Sequence, residues 1–348
     1  MCAASVTDHE VIFTARDVER RYSAVGLDCD EAIAGGRRFR RTAAGWRLAI
    51  PRPALQRMEY RLALVERNGS THVLCDSLNA ERVRTAFGER SVVLLPGYRR
   101  PDWLGQARTR EGSTVRLVHA SHELGDIPMT VWTPTDVDAS APAPLLVAHD
   151  GPEYAELAQL VDYSAAMIAS SALPPFRIAL MHPVERDAWY SANPAYLAAS
   201  HAALDELERT FPSLNAPVVL GASLGGLSAV LAASAAESRF GGVVSQSGSF
   251  FQPRLDDQES SYPFFDRVTA AVHDVLHRPR AARQLVVGMT CGALEENLAN
   301  NRDMAAALQR QGHEVTFRVV PDLHNYTAWR DGLHPTLTEV LRSVWGAR

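Results

Sequence analysis

From about residue 143 onward the chain alternates short, uninterrupted apolar runs with longer segments whose apolar residues recur every three or four positions. The runs are APLLVAHDG, FRIALMHP, APVVLGAS, GGVVSQSG, RQLVVGM and VTFRVVP. Between them lie YAELAQLVDYSAAMIAS, AYLAASHAALDELERTF, GLSAVLAASAAESRF and NLANNRDMAAALQRQG. Strands that are apolar throughout, alternating with amphipathic helices, predict a parallel sheet covered on both faces. Just upstream, TVRLVHASHEL and PMTVWTP flank Gly125-Asp126 and predict a hairpin.

The first hundred residues have a different rhythm. Their apolar stretches are short (VIFTA, WRLAIP, YRLALVE, SVVLLP) and are separated by GG and NGS turns. Alternation from Tyr60 to Val65 suits half-buried antiparallel strands. The segment LLPGYRRPDWLGQARTREG, with Pro96, Gly97, Pro101, Gly105 and Gly112, reads as a linker. The expectation is therefore a small β-sandwich over residues 1–110 and an α/β domain over residues 111–348.

Composition narrows the partners. Hydrophobic residues make up 46% and charged residues 22%, as in an ordinary globular protein. The net charge of −5 gives no reason to expect nucleic acid or an anionic membrane. There is no lysine, so every basic side chain is arginine; the coding bias of a GC-rich genome explains this most simply. The N-terminal MCAASVTDHEV lacks the basic and apolar regions of a signal peptide, and no apolar run approaches the ~18 residues of a membrane span. Four cysteines without CxxC spacing fit free thiols, so the expected location is the cytoplasm. SHELGD lacks the second histidine of a zinc-protease helix, and neither G-x-G-x-x-G nor a P-loop lysine occurs. No metal or cofactor is expected.

The chemistry concentrates in VVLGASLGGLSAV, residues 218–230. A buried strand that turns sharply into a helix forces its pivot residue into strained backbone angles and lifts that side chain above the sheet. Small residues must then flank the pivot two positions either way. Gly221 and Gly225 do so around Ser223, forming G-x-S-x-G, the nucleophile elbow of α/β hydrolases. The helix that follows offers unpaired backbone N–H groups to an oxyanion. A serine at its free pKa is a poor nucleophile and needs a general base. Chain order in this fold is Ser, acid, His. The strand VTFRVVP ends in Asp322-Leu323-His324, which makes His324 the candidate base. The strand RQLVVGM precedes Glu295 and Glu296, either of which can supply the acid; Glu295 is preferred.

Taken together, these residues resemble the enterochelin esterase family, siderophore esterases of the esterase-D-like branch of α/β hydrolases. GASLGGLSAVLAA with SRFGGVVSQSGSFF is similar to that family's nucleophile block, and LLVAHDGPEYAE to its D-G signature. GALEENLANNRDMAAALQRQGHEVTFRVVPDLHNYTAWRDGL is similar to its glutamate, N-R and H-x-x-x-x-W-R tail. The front segment ending DSLNAERVRTAFGERSVVLLPGYRRPDWL is similar to its immunoglobulin-like N-terminal domain. The resemblance implies an α/β-hydrolase domain behind a small all-β sandwich. It also implies Ser223 as nucleophile, His324 as base and Glu295 as the group that orients it. The implied substrate is a small-molecule ester or lactone, a ferric siderophore among them. A carbohydrate or general acyl esterase, an acyltransferase, and a non-catalytic binding protein on the same fold are the alternatives.

Two departures from the family pattern stand out. Arg186 matches a family arginine that is followed after two residues by Glu-Leu; here the pair is Trp189-Tyr190. One oxyanion donor is expected at Leu224, but the position after the D-G signature is Pro152, which has no N–H. The second donor is then Gly151 or Glu153, with Gly151 preferred. Tyr154 and Arg186 are expected to contact substrate. Trp329 and Arg330 either line the pocket or anchor the final helix.

Overall fold

The computed structural model describes residues 2–105, 111–138 and 140–346, the side chains of residues 2 and 3 excepted. The chain divides into two compact units, Met1–Arg99 with Pro321–Asn325, and Arg100–Val320 with Tyr326–Arg348. The boundary expected at residue 110 falls on residues 106–110, which lie outside the described residues. The units part earlier, after Arg99, and a short stretch carrying His324 sorts with the first of them.

The first unit contains strands β1 (Cys2–Val6), β2 (Glu10–Arg16), β3 (Tyr22–Cys29), β4 (Arg40–Thr42), β5 (Gly45–Pro51), β6 (Arg57–Glu66), β7 (Thr71–Leu74), β8 (Arg82–Thr85) and β9 (Gly88–Leu94). They form two antiparallel sheets, ordered β1-β2-β5-β4 and β3-β6-β9-β8, with β7 paired to β6. Inward positions alternate as the sequence pattern requires: Val11 and Phe13 on β2, Trp46, Leu48 and Ile50 on β5, Met58, Tyr60 and Leu62 on β6 are all buried. The Phe13 ring meets Tyr60 edge-on at 5.0 Å, which joins the two sheets across the core.

Residues 321–325 are fastened to this unit by Arg57. Its side chain is only 1% exposed, yet it carries a full charge. Its Nε donates to Asp322 Oδ2 at 2.6 Å and its Nη1 to Glu59 at 3.0 Å, while Nη2 donates to Asn325 Oδ1. Gln56 N–H donates to the Pro321 carbonyl at 2.9 Å. Burial pushes the Asp322 carboxyl up, and Arg57 opposes that shift. A buried pair of this kind contributes little net stability when whole, but losing one partner strands the other charge. Arg57→Ala should therefore destabilise the protein by about 3–5 kcal/mol, and removing Asp322 as well should restore part of the loss. Urea denaturation of the two variants checks this; equal stability of Arg57→Ala and the parent would refute it.

The second unit opens with the predicted hairpin, β10 (Gly112–Ser121) and β11 (Gly125–Pro134). Then follow β12 (Leu145–Ala148), α1 (Gly151–Glu156), α2 (Leu160–Ala169), β13 (Arg177–Met181), α3 (Arg186–Tyr190), α4 (Pro194–Thr210), β14 (Val218–Ala222), α5 (Leu224–Ser234), β15 (Gly242–Gln246), α6 (Phe265–His277), β16 (Val286–Gly292), α7 (Leu298–Arg310), β17 (Glu314–Val320), α8 (Tyr326–Asp331) and α9 (Leu333–Trp345). One eight-stranded sheet runs β10-β11-β13-β12-β14-β15-β16-β17. The hairpin joins it antiparallel, and every pair from β13 to β17 is parallel. All six strands expected from the apolar runs are present, and β12 to β15 are buried at every position. Separate apolar clusters cover the two faces. One predicted helix is broken: YAELAQLVDYSAAMIAS spans α1 and α2, because Gln159 takes a left-handed φ of 51° between them. Asn193 caps α4 by accepting from the N–H of Ala195 at 3.0 Å.

Candidate active site

Strand β14 ends at Ala222 and α5 begins at Leu224, so the whole turn is Ser223, with φ 56° and ψ −126°. Clearance around this pivot is supplied by Gly221, Gly225 and Gly226. A Cβ on Gly221 would lie 2.1 Å from the Gly225 carbonyl oxygen, and one on Gly226 would lie 2.7 Å from Ser245 Oγ. The strained pivot is held by its neighbours. Ser223 N–H donates to the Gln246 carbonyl at 3.0 Å, and its own carbonyl accepts from Gly226, Leu227 and Ser249 at 3.0–3.1 Å. Its Oγ is 3.2 Å from Ser249 Oγ. Ser249 had no expected role, although it sits in the SGSF quoted from the sequence.

A second turn lies beside the first. In the parallel pairing of β12 with β14, Ala148 is opposite Leu220 and the His149 N–H donates to the Leu220 carbonyl at 2.9 Å, so the two turns leave the sheet from neighbouring strands. Asp150, at φ 50°, makes the bend. Gly151 must be glycine because a Cβ there would lie 2.5 Å from the Leu180 backbone. Among the described residues, no acceptor faces the N–H of Gly151 or Leu224. Pro152 has no N–H.

Asp150 is the centre of a buried network. Arg186 grips it with both arms of the guanidinium, Nε to Oδ1 and Nη2 to Oδ2, each at 2.8 Å. Burial works against the charge on Arg186, but Asp150 outweighs it and holds the guanidinium above its ordinary value. The Asp150 N–H donates to Tyr190 Oη at 3.1 Å, and Tyr196 Oη lies 3.1 Å from His149 Nδ1. His149 is fully enclosed and edge-on to Tyr190, so burial, assisted by Arg186, lowers its pKa to about 3.

The acid candidates separate cleanly. Glu295 is 8% exposed and accepts from Ser247 Oγ at 2.8 Å and from Gly292 N–H at 2.7 Å. Glu296 is exposed and accepts from Gln258 at 3.1 Å. Ser247 also receives the Trp329 indole N–H at 3.1 Å and follows Gln246, whose carbonyl holds Ser223. Glu295 is thus linked to the pivot by a short run of buried hydrogen bonds. His324 is exposed on the stretch that sorts with the first unit.

The expected substrate contacts fare differently. Tyr154 has no exposed surface; its hydroxyl donates to Gln246 Oε1 at 2.8 Å and its ring packs on Tyr326. It is a core residue, because α1 turns this side chain inward onto the sheet. Trp329 is buried against the same sheet. Arg330 pairs with the adjacent Asp331 at 2.7 Å. Arg186 is committed to Asp150, with its side chain 37% exposed.

A doubly wound sheet with a nucleophile elbow defines an α/β hydrolase, and the chain belongs to the Esterase family (described as "Putative esterase"), whose match covers residues 121–340. Within it, the chain is 29% identical over 245 residues to an iron(III) enterobactin esterase of Dickeya dadantii, covering 66% of this chain and 55% of that protein. It is 26% identical over 234 residues to the Escherichia coli K12 iron(III) enterobactin esterase, covering 63% and 55%. The chain thus spans about half the length of the curated relatives it matches. The fold matches the ferric enterobactin esterase of Salmonella typhimurium with a TM-score of 0.77 at 22% identity, covering 98% of this chain and 96% of that one. It matches the Shigella flexneri enterobactin esterase crystallised in the presence of enterobactin with a TM-score of 0.76 at 21% identity, covering 99% and 96%. The enterochelin-esterase resemblance seen in the sequence is borne out.

Two outcomes follow from this geometry. Gly221→Ala should abolish the elbow, since the added methyl meets backbone rather than a movable side chain; soluble protein of unchanged stability would contradict it. His149 should make stability acid-sensitive. Its folded pKa of about 3 lies below the ordinary 6.5, so between those values the unfolded chain binds the extra proton. Stability is then full above 6.5 and falls with pH by about 1.4 kcal/mol per unit from this group. His149→Phe should flatten the dependence by one proton, measured by denaturation at pH 4, 5, 6 and 7; an unchanged slope would count against it.

Proposed function

We propose that the protein is a serine esterase acting through Ser223, His324 and Glu295. The observation that carries this is the Ser223 elbow, a strained, half-buried serine at a strand-to-helix turn cleared by Gly221 and Gly225. His324 takes the Ser223 proton as Oγ attacks the ester carbonyl, and Glu295 steadies the imidazolium that results. The N–H groups of Leu224 and Gly151 receive the oxyanion. Collapse of the intermediate expels the alcohol, which His324 protonates, and leaves an acyl-enzyme. Water, deprotonated by His324, then releases the acid and restores Ser223. Chain order and the family tail support His324 and Glu295 in these roles, and the burial of Glu295 favours it over Glu296.

The proposed substrate is a catecholate siderophore lactone, with or without its iron, supported by relatives named iron(III) enterobactin esterases. Ser223→Ala should lower hydrolysis of p-nitrophenyl butyrate by about 10⁴–10⁶-fold. Undiminished hydrolysis by the pure variant would end the esterase reading. Parent enzyme should turn over a catecholate trilactone with a higher kcat/KM than acetylated or feruloylated sugars. The reverse preference would keep the esterase and replace its substrate.

A further inference from the structure

Asp150 presents a difficulty for oxyanion chemistry. Its carboxylate is buried, and it stands immediately before Gly151 and against α5: a Cβ on Gly225 would lie 3.1 Å from Asp150 Oδ2. An uncompensated negative charge there would repel the negative charge that develops on a substrate oxygen between Gly151 and Leu224. We infer that Arg186 and Tyr190 are positioning residues that neutralise and fix the Asp150 turn, so that the Gly151 N–H is aimed and the turn presents no net charge. This rests on the serine-esterase reading with Gly151 as oxyanion donor.

The geometry supports each half of the inference. Both guanidinium arms bind both carboxylate oxygens at 2.8 Å, a planar fork that cancels the charge and fixes the plane of the carboxylate together. The Tyr190 hydroxyl accepts the Asp150 N–H at 3.1 Å, which fixes the peptide just before the Gly151 N–H. Tyr190 is itself wholly buried, with its ring against Tyr196 at 5.2 Å and His149 at 4.9 Å, so its hydroxyl cannot wander. Both Arg186 and Tyr190 lie on the five-residue α3, so one element delivers both contacts. Tyr190 occupies one of the two positions at which the chain departs from the family's Glu-Leu, and Pro152 makes the aim of Gly151 matter more, since the next N–H is absent. Arg186 thereby acts on the reaction through Asp150 and Gly151 rather than by meeting the substrate.

The test separates this role from substrate binding. With the full chain and neutral p-nitrophenyl butyrate, Arg186→Met should lower kcat by about 10²-fold with KM changed less than threefold. Adding Asp150→Asn, which removes the charge and tolerates the left-handed backbone, should recover most of that loss. Tyr190→Phe, a milder change that keeps the ring packing, should lower kcat several-fold at unchanged KM. The inference is overturned if Arg186→Met keeps kcat on the neutral ester and raises KM only for anionic esters. It is also overturned if Asp150→Asn gives no recovery in protein whose circular dichroism and melting match the parent. Should Arg186→Met not fold, Tyr190→Phe decides alone: an unchanged kcat refutes the role. Inactivity of the parent enzyme, with no fluorophosphonate labelling of Ser223, would instead remove the esterase reading.

Discussion

Between Gly221 and the carbonyl of Gly225 there is no room for a single carbon, and this contact fixes the site at its origin. It lets α5 start one residue after β14 ends. A looser turn would spread the reversal over several residues and let the serine fall back toward the sheet. Here the strain is confined to Ser223 and is balanced by four backbone hydrogen bonds to it, from Gly226, Leu227 and Ser249 and to Gln246. The hydroxyl is therefore placed by backbone packing, with Ser249 Oγ 3.2 Å away.

The same solution recurs along the sheet edge. Three adjacent parallel strands, β12, β14 and β15, are each followed within two residues by a non-glycine residue of left-handed φ: Asp150 at 50°, Ser223 at 56° and Ser247 at 50°. Each bend has its own restraint. Arg186 and Tyr190 hold Asp150, and the Gln246 carbonyl holds Ser223. Ser247 is tied through its N–H to the Thr290 carbonyl at 2.7 Å and through its hydroxyl to Glu295. The continuous parallel pairing of β12 with β14 and of β14 with β15 sets these three bends side by side at the carboxyl ends of their strands.

Much of this was legible in the sequence because buried parallel strands leave an unambiguous mark: six apolar runs became six strands. The glycine spacing around Ser223 likewise names a steric problem that has few other solutions. What was not legible depends on partners distant in the chain. Nothing local shows that Tyr154 faces Gln246 across 92 positions, or that Arg186 folds back on Asp150 across 36. An arginine near a signature reads equally well as a ligand for an anion and as a brace. The break at Gln159 was hidden because its flanks keep a helical apolar spacing through a left-handed residue. Residues 321–325 sort with the first unit, where Arg57 holds Asp322, and Arg57 is a buried charge at the first position of β6, whose pattern otherwise reads as ordinary alternation.

Arg57 and Arg186 share a physical logic that explains why these two positions need this side chain, whatever made the rest of the chain lysine-free. Each meets a buried carboxylate, and each meets it with more than one nitrogen. A lysine ammonium would bring the same charge as a single point, leaving the carboxylate free to rotate about it. At Asp322 that freedom would loosen the chain stretch 321–325, which carries His324. At Asp150 it would loosen the peptide before Gly151. A carboxylate is also better suited to the Asp150 bend than most residues, since aspartate and asparagine visit the left-handed region at small cost. Of those two, only aspartate gives a guanidinium a charged, planar partner, and the buried pair then anchors α3 to the turn at a desolvation cost that the two matched hydrogen bonds offset.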